Sequence, residues 1–278
     1  MKINMSDFFK KNRELYCTDA PGYYAPFALW KMETHCKDAD VFYLPEYDCY
    51  YVIKNKHLLI YYSPDSLCHI SIDELNSLDC ISMRADMFDT VKDKLTGFKP
   101  EYCEHLHYDK NYIPPVLTND KFDFVDFDFS NEEHYEITAK HINGSDGYSD
   151  YTGDDWEYNG VHIQKIKANY TEASVFDPSL WFFVRDKQTK KLIGHGISTY
   201  QESIKETLLD WIHIAPEYQG KGAGRLLMQE IIRRSADRSD IIQVGGTVEF
   251  YKRCGFYTKR LDVWAPKPGY SFYGPCTI

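Results

Sequence analysis

No two of the eight cysteines, at positions 17, 36, 49, 68, 80, 103, 254 and 276, are spaced as C-x-x-C. That excludes the usual zinc knuckle and the dithiol redox pair, and the cysteines read as reduced and mostly buried. Apolar runs fall well short of the roughly 18 residues of a membrane span. The opening MKINMSDFFKKNREL has no apolar core of the length a secretory leader needs, so a soluble cytoplasmic protein is expected. Positive charge is scarce as well: 32 Lys and Arg against 42 Asp and Glu leave a formal net charge of −10. Such a balance argues against non-specific binding to nucleic acid or to an anionic membrane. There is no G-x-S-x-G elbow, so no activated serine is on offer.

What the chain does have is aromatic: 23 Tyr and 16 Phe in 278 residues, a length that slightly favours two domains over one. Residues 5–16 have a helical pattern. Cys49–Ile53 and His57–Tyr62 read as strands joined by a Lys54-Asn55-Lys56 turn. Ser71 with Glu74 forms a capping-box pattern, and residues 81–96, with Ser82, Asp86 and Asp89 as candidate starts, read as a helix ending at Gly97. The Pro-bearing segment 114–121 marks a boundary, giving an accessory α/β domain over 1–118 and a second domain over 119–278. In the second domain, helical patterns at 132–142 and 160–173 flank a polar loop, 143–160, suited to a substrate-facing flap or a surface insertion. Strand patterns follow at 179–186, 192–200 and 208–214, their short connections making them antiparallel.

Residues 207–236, TLLDWIHIAPEYQGKGAGRLLMQEIIRRSA, are the most informative stretch. An apolar strand from Leu208 to Ile214 ends before Pro216, Gly220, Gly222 and Gly224 alternate, and Leu226, Leu227, Ile231 and Ile232 recur at helical spacing. A helix starting near Lys221 would aim its first N–H groups at the glycine turn, the geometry of a phosphate site. Residues 207–260 hold nine Lys or Arg and six Asp or Glu, a local balance of +3 that suits a phosphate ligand and equally a solvated face. Two familiar phosphate loops fit poorly. A Walker loop needs Ser or Thr after Gly-Lys, and the dinucleotide fingerprint needs G-x-G-x-x-G.

The run Ile214-Ala215-Pro216-Glu217-Tyr218-Gln219-Gly220-Lys221-Gly222-Ala223-Gly224 resembles the acyl-coenzyme A signature of the GCN5-related N-acetyltransferase (GNAT) family. Val248-Glu249-Phe250-Tyr251-Lys252-Arg253-Cys254-Gly255-Phe256 resembles that family's closing segment. Where the family often carries an Asn after the fifth strand, this chain has Gly245-Gly246-Thr247. The resemblance implies an α/β fold of the acyl-CoA N-acyltransferase type, a mixed, mostly antiparallel twisted sheet flanked by helices. Its order over 122–265 would be β-α-α-β-β-β-α-β-α-β, with the strand at 240–245 parallel to 208–214. The first domain would then be accessory or a degenerate copy. Cofactor contacts are implied at Gln219, Gly220, Lys221, Gly222, Ala223, Gly224 and Arg225 for the pyrophosphate of acetyl-CoA (coenzyme A), and at Ile212, His213, Ile214 and Tyr251 for its pantetheine and thioester end.

By the same resemblance the strands at 208–214 and 240–245 splay apart, and an N–H near Ile212 faces the thioester oxygen. Tyr251 would protonate the departing thiolate. Asp210, at the start of its strand, is the first candidate for general base and His213 the second. Period-two alternation puts Asp210, Ile212 and Ile214 on one face and Trp211 and His213 on the other. The implied activity is acetyl-CoA-dependent N-acetylation of a primary amine on a small molecule or peptide, by direct attack in a ternary complex. The alternative is a non-catalytic acyl-CoA-binding sensor or interaction protein. Asp146, Asp150, Asp154, Asp155 and Glu157 would attract a cationic acceptor. His105 and His107 share a strand face without a third metal ligand, so no metal is expected, and His195 stands between two glycines with its role open.

Overall fold

A computed structural model of the chain describes residues 1–26, 28–115, 120–143, 158–245 and 249–270. The polypeptide divides into two compact units. Unit 1 comprises residues 1–106, 245–247 and 258–277, and unit 2 comprises 107–244 and 248–257, with residue 278. The units therefore do not follow a single cut near residue 118, because the C-terminal segment returns to unit 1.

Unit 1 begins with α1 (Met5–Cys17), capped by Asn4, then β1 (Tyr23–Tyr24), α2 (Leu29–His35), β2 (Asp40–Leu44) and β3 (Cys49–Lys54). It continues through β4 (His57–Tyr62), α3 (Ile72–Ser77), β5 (Cys80–Arg84), α4 (Ala85–Asp89) and β6 (Glu101–Tyr108). The β3–β4 hairpin turns on Asn55 and Lys56, both at positive φ, so Lys54 belongs to the strand. Ser71 caps α3 by accepting from the Glu74 amide, as its spacing predicts. The expected helix over 81–96 is not formed: β5 occupies 80–84, and only Ala85–Asp89 is α-helical. Ile81 and Met83 are fully buried strand residues, and β5 pairs antiparallel with residues 262–266, a partner that no local signal reveals.

Unit 2 runs β7 (Phe122–Asp126), α5 (Glu132–Asn143), α6 (Gly160–Glu172), β8 (Trp181–Asp186), β9 (Leu192–Gln201), β10 (Glu206–Ile214), α7 (Ala223–Ser235), β11 (Ile241–Gly245) and α8 (Glu249–Lys252). The last strand, β12 (Phe256–Pro266), completes the expected order of elements and carries the chain into unit 1. Within unit 2 the strands are ordered β11-β10-β9-β8-β7. β7, β8, β9 and β10 pair antiparallel in sequence, and β11 pairs parallel to β10 across the α7 crossover.

The two sheet faces of unit 2 are covered differently. α7 buries Ala223, Leu227, Met228, Ile231, Ile232 and Ser235, an apolar stripe at helical spacing, against one face. A Cβ on Gly196 of β9 would meet Leu227 and Ile231, so that face has room for the helix only as built. On the other face α5 and α6 pack over aromatic side chains: His134 meets Phe183, Tyr170 meets Trp181 edge-on, and Tyr158 meets Trp211.

Candidate active site

The glycine turn begins where β10 ends. A 3₁₀ turn at Pro216–Tyr218 leads into it, and the Gln219 side chain folds back to donate to the Ile214 carbonyl. Gly220 and Gly222 have φ of +71° and +91°, a backbone region that glycine occupies without steric cost. α7 starts at Ala223, two residues later than the sequence pattern suggests, because the left-handed Gly222 is its N-cap and offers no capping side chain. The first α7 amide with a backbone acceptor is Leu226, which donates to the Gly222 carbonyl. Among the described residues, no acceptor pairs with the amides of residues 220–225.

Those six amides line an open turn. Residues 219–222 are exposed, and among the described residues, chain neighbours aside, a Cβ built on Gly220 or Gly222 has no atom within 4 Å. Unpaired N–H groups at the positive end of a helix dipole are an anion site.

Beside the turn, among the described residues, β10 and β11 pair from Glu206↔Ile241 to Leu208↔Gln243, and β10 continues for six more residues. Among the described residues, the partners of β10 from Trp211 to Ile214 are those of β9. Ile212 and Ile214, half-buried, are on the stretch of β10 beyond the last β11 pair.

Tyr251, on α8, is half-buried between the rings of Phe250 and Phe256. Burial pushes its phenol up to about 12, with the Cys254 thiol adding to the effect, so it remains a proton donor through the neutral range.

Asp210 is not at a strand start. It is the fifth of the nine residues of β10 and the extra residue of a β-bulge, since Leu209 pairs with Ser198 and Trp211 with the next residue, Ile197. The bulge re-aims its side chain, so the simple alternation with Ile212 and Ile214 fails there. Its carboxylate instead accepts from the hydroxyl of Tyr170 on α6. Residues from Trp211 onward do alternate as expected, with Trp211 and His213 buried.

His213 lies in a stack of three imidazoles, its ring centroid 5.1 Å from that of His141 and 5.8 Å from that of His195. His141 Nδ1 is 3.3 Å from His195 Nδ1. Burial lowers all three below the usual imidazole range, His141 to about 4, with Glu217 opposing the effect at His213 and His141. His195 is thus a packed core histidine. Among the described residues, no group of three His, Cys, Asp or Glu side chains is placed to hold a metal ion.

A second feature lay outside the sequence reading. A groove of about 350 Å³ runs between α7 and α8, floored by Met228, Ile232 and Cys254 and rimmed by Arg225 and Arg253. Tyr112–Pro115 forms one wall: the Tyr112 hydroxyl donates to the Arg253 carbonyl, and Gln229 donates to the Pro115 carbonyl. Neither arginine is ion-paired among the described residues. Gly246 and Thr247, at the family's Asn position, and the acidic loop positions Asp146, Asp150, Asp154, Asp155 and Glu157 lie outside the described residues.

Residues 178–258 match the family model for the acetyltransferase (GNAT) domain. They are a GNAT domain. The match takes in β8 to α8, the glycine turn and Tyr251. Among curated proteins, GCN5-related N-acetyltransferase 2, chloroplastic, of Arabidopsis thaliana is 32% identical over 89 residues, covering 29% of this chain and 34% of its own. An uncharacterised N-acetyltransferase, ycf52, of Gracilaria tenuistipitata var. liui is 36% identical over 80 residues, covering 27% and 43%. This chain thus spans between a third and a half of the length of these relatives.

The architecture around the GNAT domain is also shared. A GCN5-related N-acetyltransferase from Sphaerobacter thermophilus aligns with 98% of this chain and 96% of its own at a TM-score of 0.68 and 13% identity. A tandem GNAT protein from the clavulanic acid biosynthesis pathway aligns with 98% and 99% at a TM-score of 0.57 and 9% identity. GNAT acetyltransferases use acetyl-CoA as co-substrate. The unpaired amides of residues 220–225 and the space above Gly220 and Gly222 fit its diphosphate. Among the described residues, no helix is long and apolar enough to cross a membrane.

Proposed function

We propose that this chain transfers an acetyl group from acetyl-CoA to a primary amine by direct attack in a ternary complex. The observation that carries the reading is the pairing of six amides, at residues 220–225, that have no acceptor among the described residues, with a strand, β10, that has no described β11 partner beyond Leu208. A turn alone would hold an anion, whereas a turn beside an opened strand edge accommodates a diphosphate with an extended amide-bearing arm.

Acetyl-CoA supplies the acetyl group as a thioester, whose carbonyl carbon accepts the amine lone pair and whose sulfur leaves with the C–S bonding pair. The chain provides the rest. Amides 220–225 hold the diphosphate, and Arg225 and Arg253 flank the groove suited to the nucleotide end. The β10 backbone at Ile212 and Ile214 pairs with the arm, and an N–H near Ile212 stabilises the oxyanion. Asp210 takes the proton that the amine sheds, through water. We assign this role to Asp210 rather than His213, whose ring is engaged in the histidine stack. Tyr251, protonated at neutral pH, donates to the departing sulfur. The N-terminal unit is accessory.

Thiol release from acetyl-CoA, corrected for hydrolysis, tests this against spermidine, glucosamine, tobramycin and a lysine-containing peptide. Amine-dependent release that Asp210→Asn abolishes supports the reading. Tight acetyl-CoA binding without release over all amine classes would overturn it in favour of a sensor.

A further inference from the structure

Tyr170, on α6, reaches the bulge of β10. It is fully buried, with its ring edge-on to Trp181 at 5.9 Å and its hydroxyl on Asp210 Oδ2. A buried phenol of this kind needs an acceptor, and here the acceptor is the carboxylate that the bulge turns toward the helix. Packing alone does not account for the arrangement, since a phenylalanine would fill the same space against Trp181 without drawing an acid under the helix.

We infer that Tyr170 is a positioning residue for the reaction: its hydroxyl fixes the orientation of the Asp210 carboxylate as the proton acceptor. The inference rests on the assignment of Asp210 as base. A carboxylate on a strand otherwise swings about two side-chain torsions. Anchoring one oxygen from a rigid, buried ring presents the lone pairs in one orientation. Burial and the neighbouring Asp210 charge both raise the Tyr170 phenol, so it donates a hydrogen bond and does not itself ionise.

The test is a pH titration of the Asp210 carboxyl carbon by ¹³C NMR in the full chain, its resonance assigned by loss in Asp210→Asn. It is run on wild type, on Tyr170→Phe and on protein with 3-fluorotyrosine at position 170. Loss of the donor and its strengthening by fluorine displace that titration in opposite directions. The acid limb of turnover with the best amine of the panel moves in the same two directions. Turnover of Tyr170→Phe falls about 10-fold, while its acetyl-CoA affinity holds within twofold. Opposite shifts from two variants are not the mark of a damaged fold, and the fluorinated protein carries the test if Tyr170→Phe does not fold. An unmoved Asp210 titration in both variants would overturn the inference. If instead Asp210→Asn keeps wild-type turnover, it is the base assignment that has failed.

Discussion

Replacing Gly222 by alanine separates a folding role of the glycine turn from a binding role. At φ +91° an alanine pays the left-handed backbone penalty, about 1–2 kcal/mol. Among the described residues, chain neighbours aside, no atom lies within 4 Å of the added Cβ, so no packing cost is added. The variant therefore folds, with its melting midpoint lowered by several degrees. The same methyl group stands at the mouth of the cradle made by amides 220–225. If it costs the ligand one hydrogen bond to a charged oxygen, about 1.5–3 kcal/mol, the Kd for acetyl-CoA rises roughly 10- to 100-fold. Gly97→Ala is the control, since Gly97 in unit 1 also has positive φ, +81°, and open space around its Cβ. Isothermal titration calorimetry and thermal melting of both variants give the comparison. A Gly222→Ala protein that melts lower but binds acetyl-CoA as wild type does would refute the cradle. So would a loss of affinity as large in Gly97→Ala.

Tyr251→Phe should lower kcat by about 100-fold, as loss of a proton donor does, and leave the Kd for acetyl-CoA within twofold; equal rates would remove its role. Arg225→Ala with Arg253→Ala should weaken coenzyme A binding at least 10-fold at low salt and less at 0.5 M salt, and an unchanged Kd would detach the α7–α8 groove from the cofactor. The folded state holds the His141 pKa at about 4, below the ordinary imidazole value, so it favours the neutral ring. The stability from that preference is complete above about pH 6.5 and is lost as pH falls toward 4, amounting to about 2 kcal/mol by pH 5. Urea unfolding at pH 7 and pH 5 should therefore show a smaller pH difference in His141→Phe than in wild type, and equal differences would contradict the neutral stack.

The glycine turn and the parallel β10–β11 pair were legible in the sequence from local signals, alternating glycines and a crossover helix, while the full order of elements came from the family resemblance. Three features were not legible. The bulge at Asp210 is a one-residue slip between β9 and β10, and nothing in TLLDWIHI marks it. Residues 81–96 carry helix-start residues, yet Ile81 and Met83 go into a strand because residues 262–266 lie alongside. The arginine-rimmed groove joins Tyr112–Pro115 to Arg225 and Arg253, more than 100 positions apart, a proximity that only the fold creates. In each case the deciding partner was distant in sequence, and local pattern lost to tertiary pairing.

The backbone amide shifts of residues 220–225 offer the most direct measurement. In ¹H–¹⁵N spectra titrated with coenzyme A, these six resonances should move together and saturate, while pantetheine, which lacks the diphosphate, should leave them in place. Saturable binding of coenzyme A that shifts other amides and spares these would contradict the account.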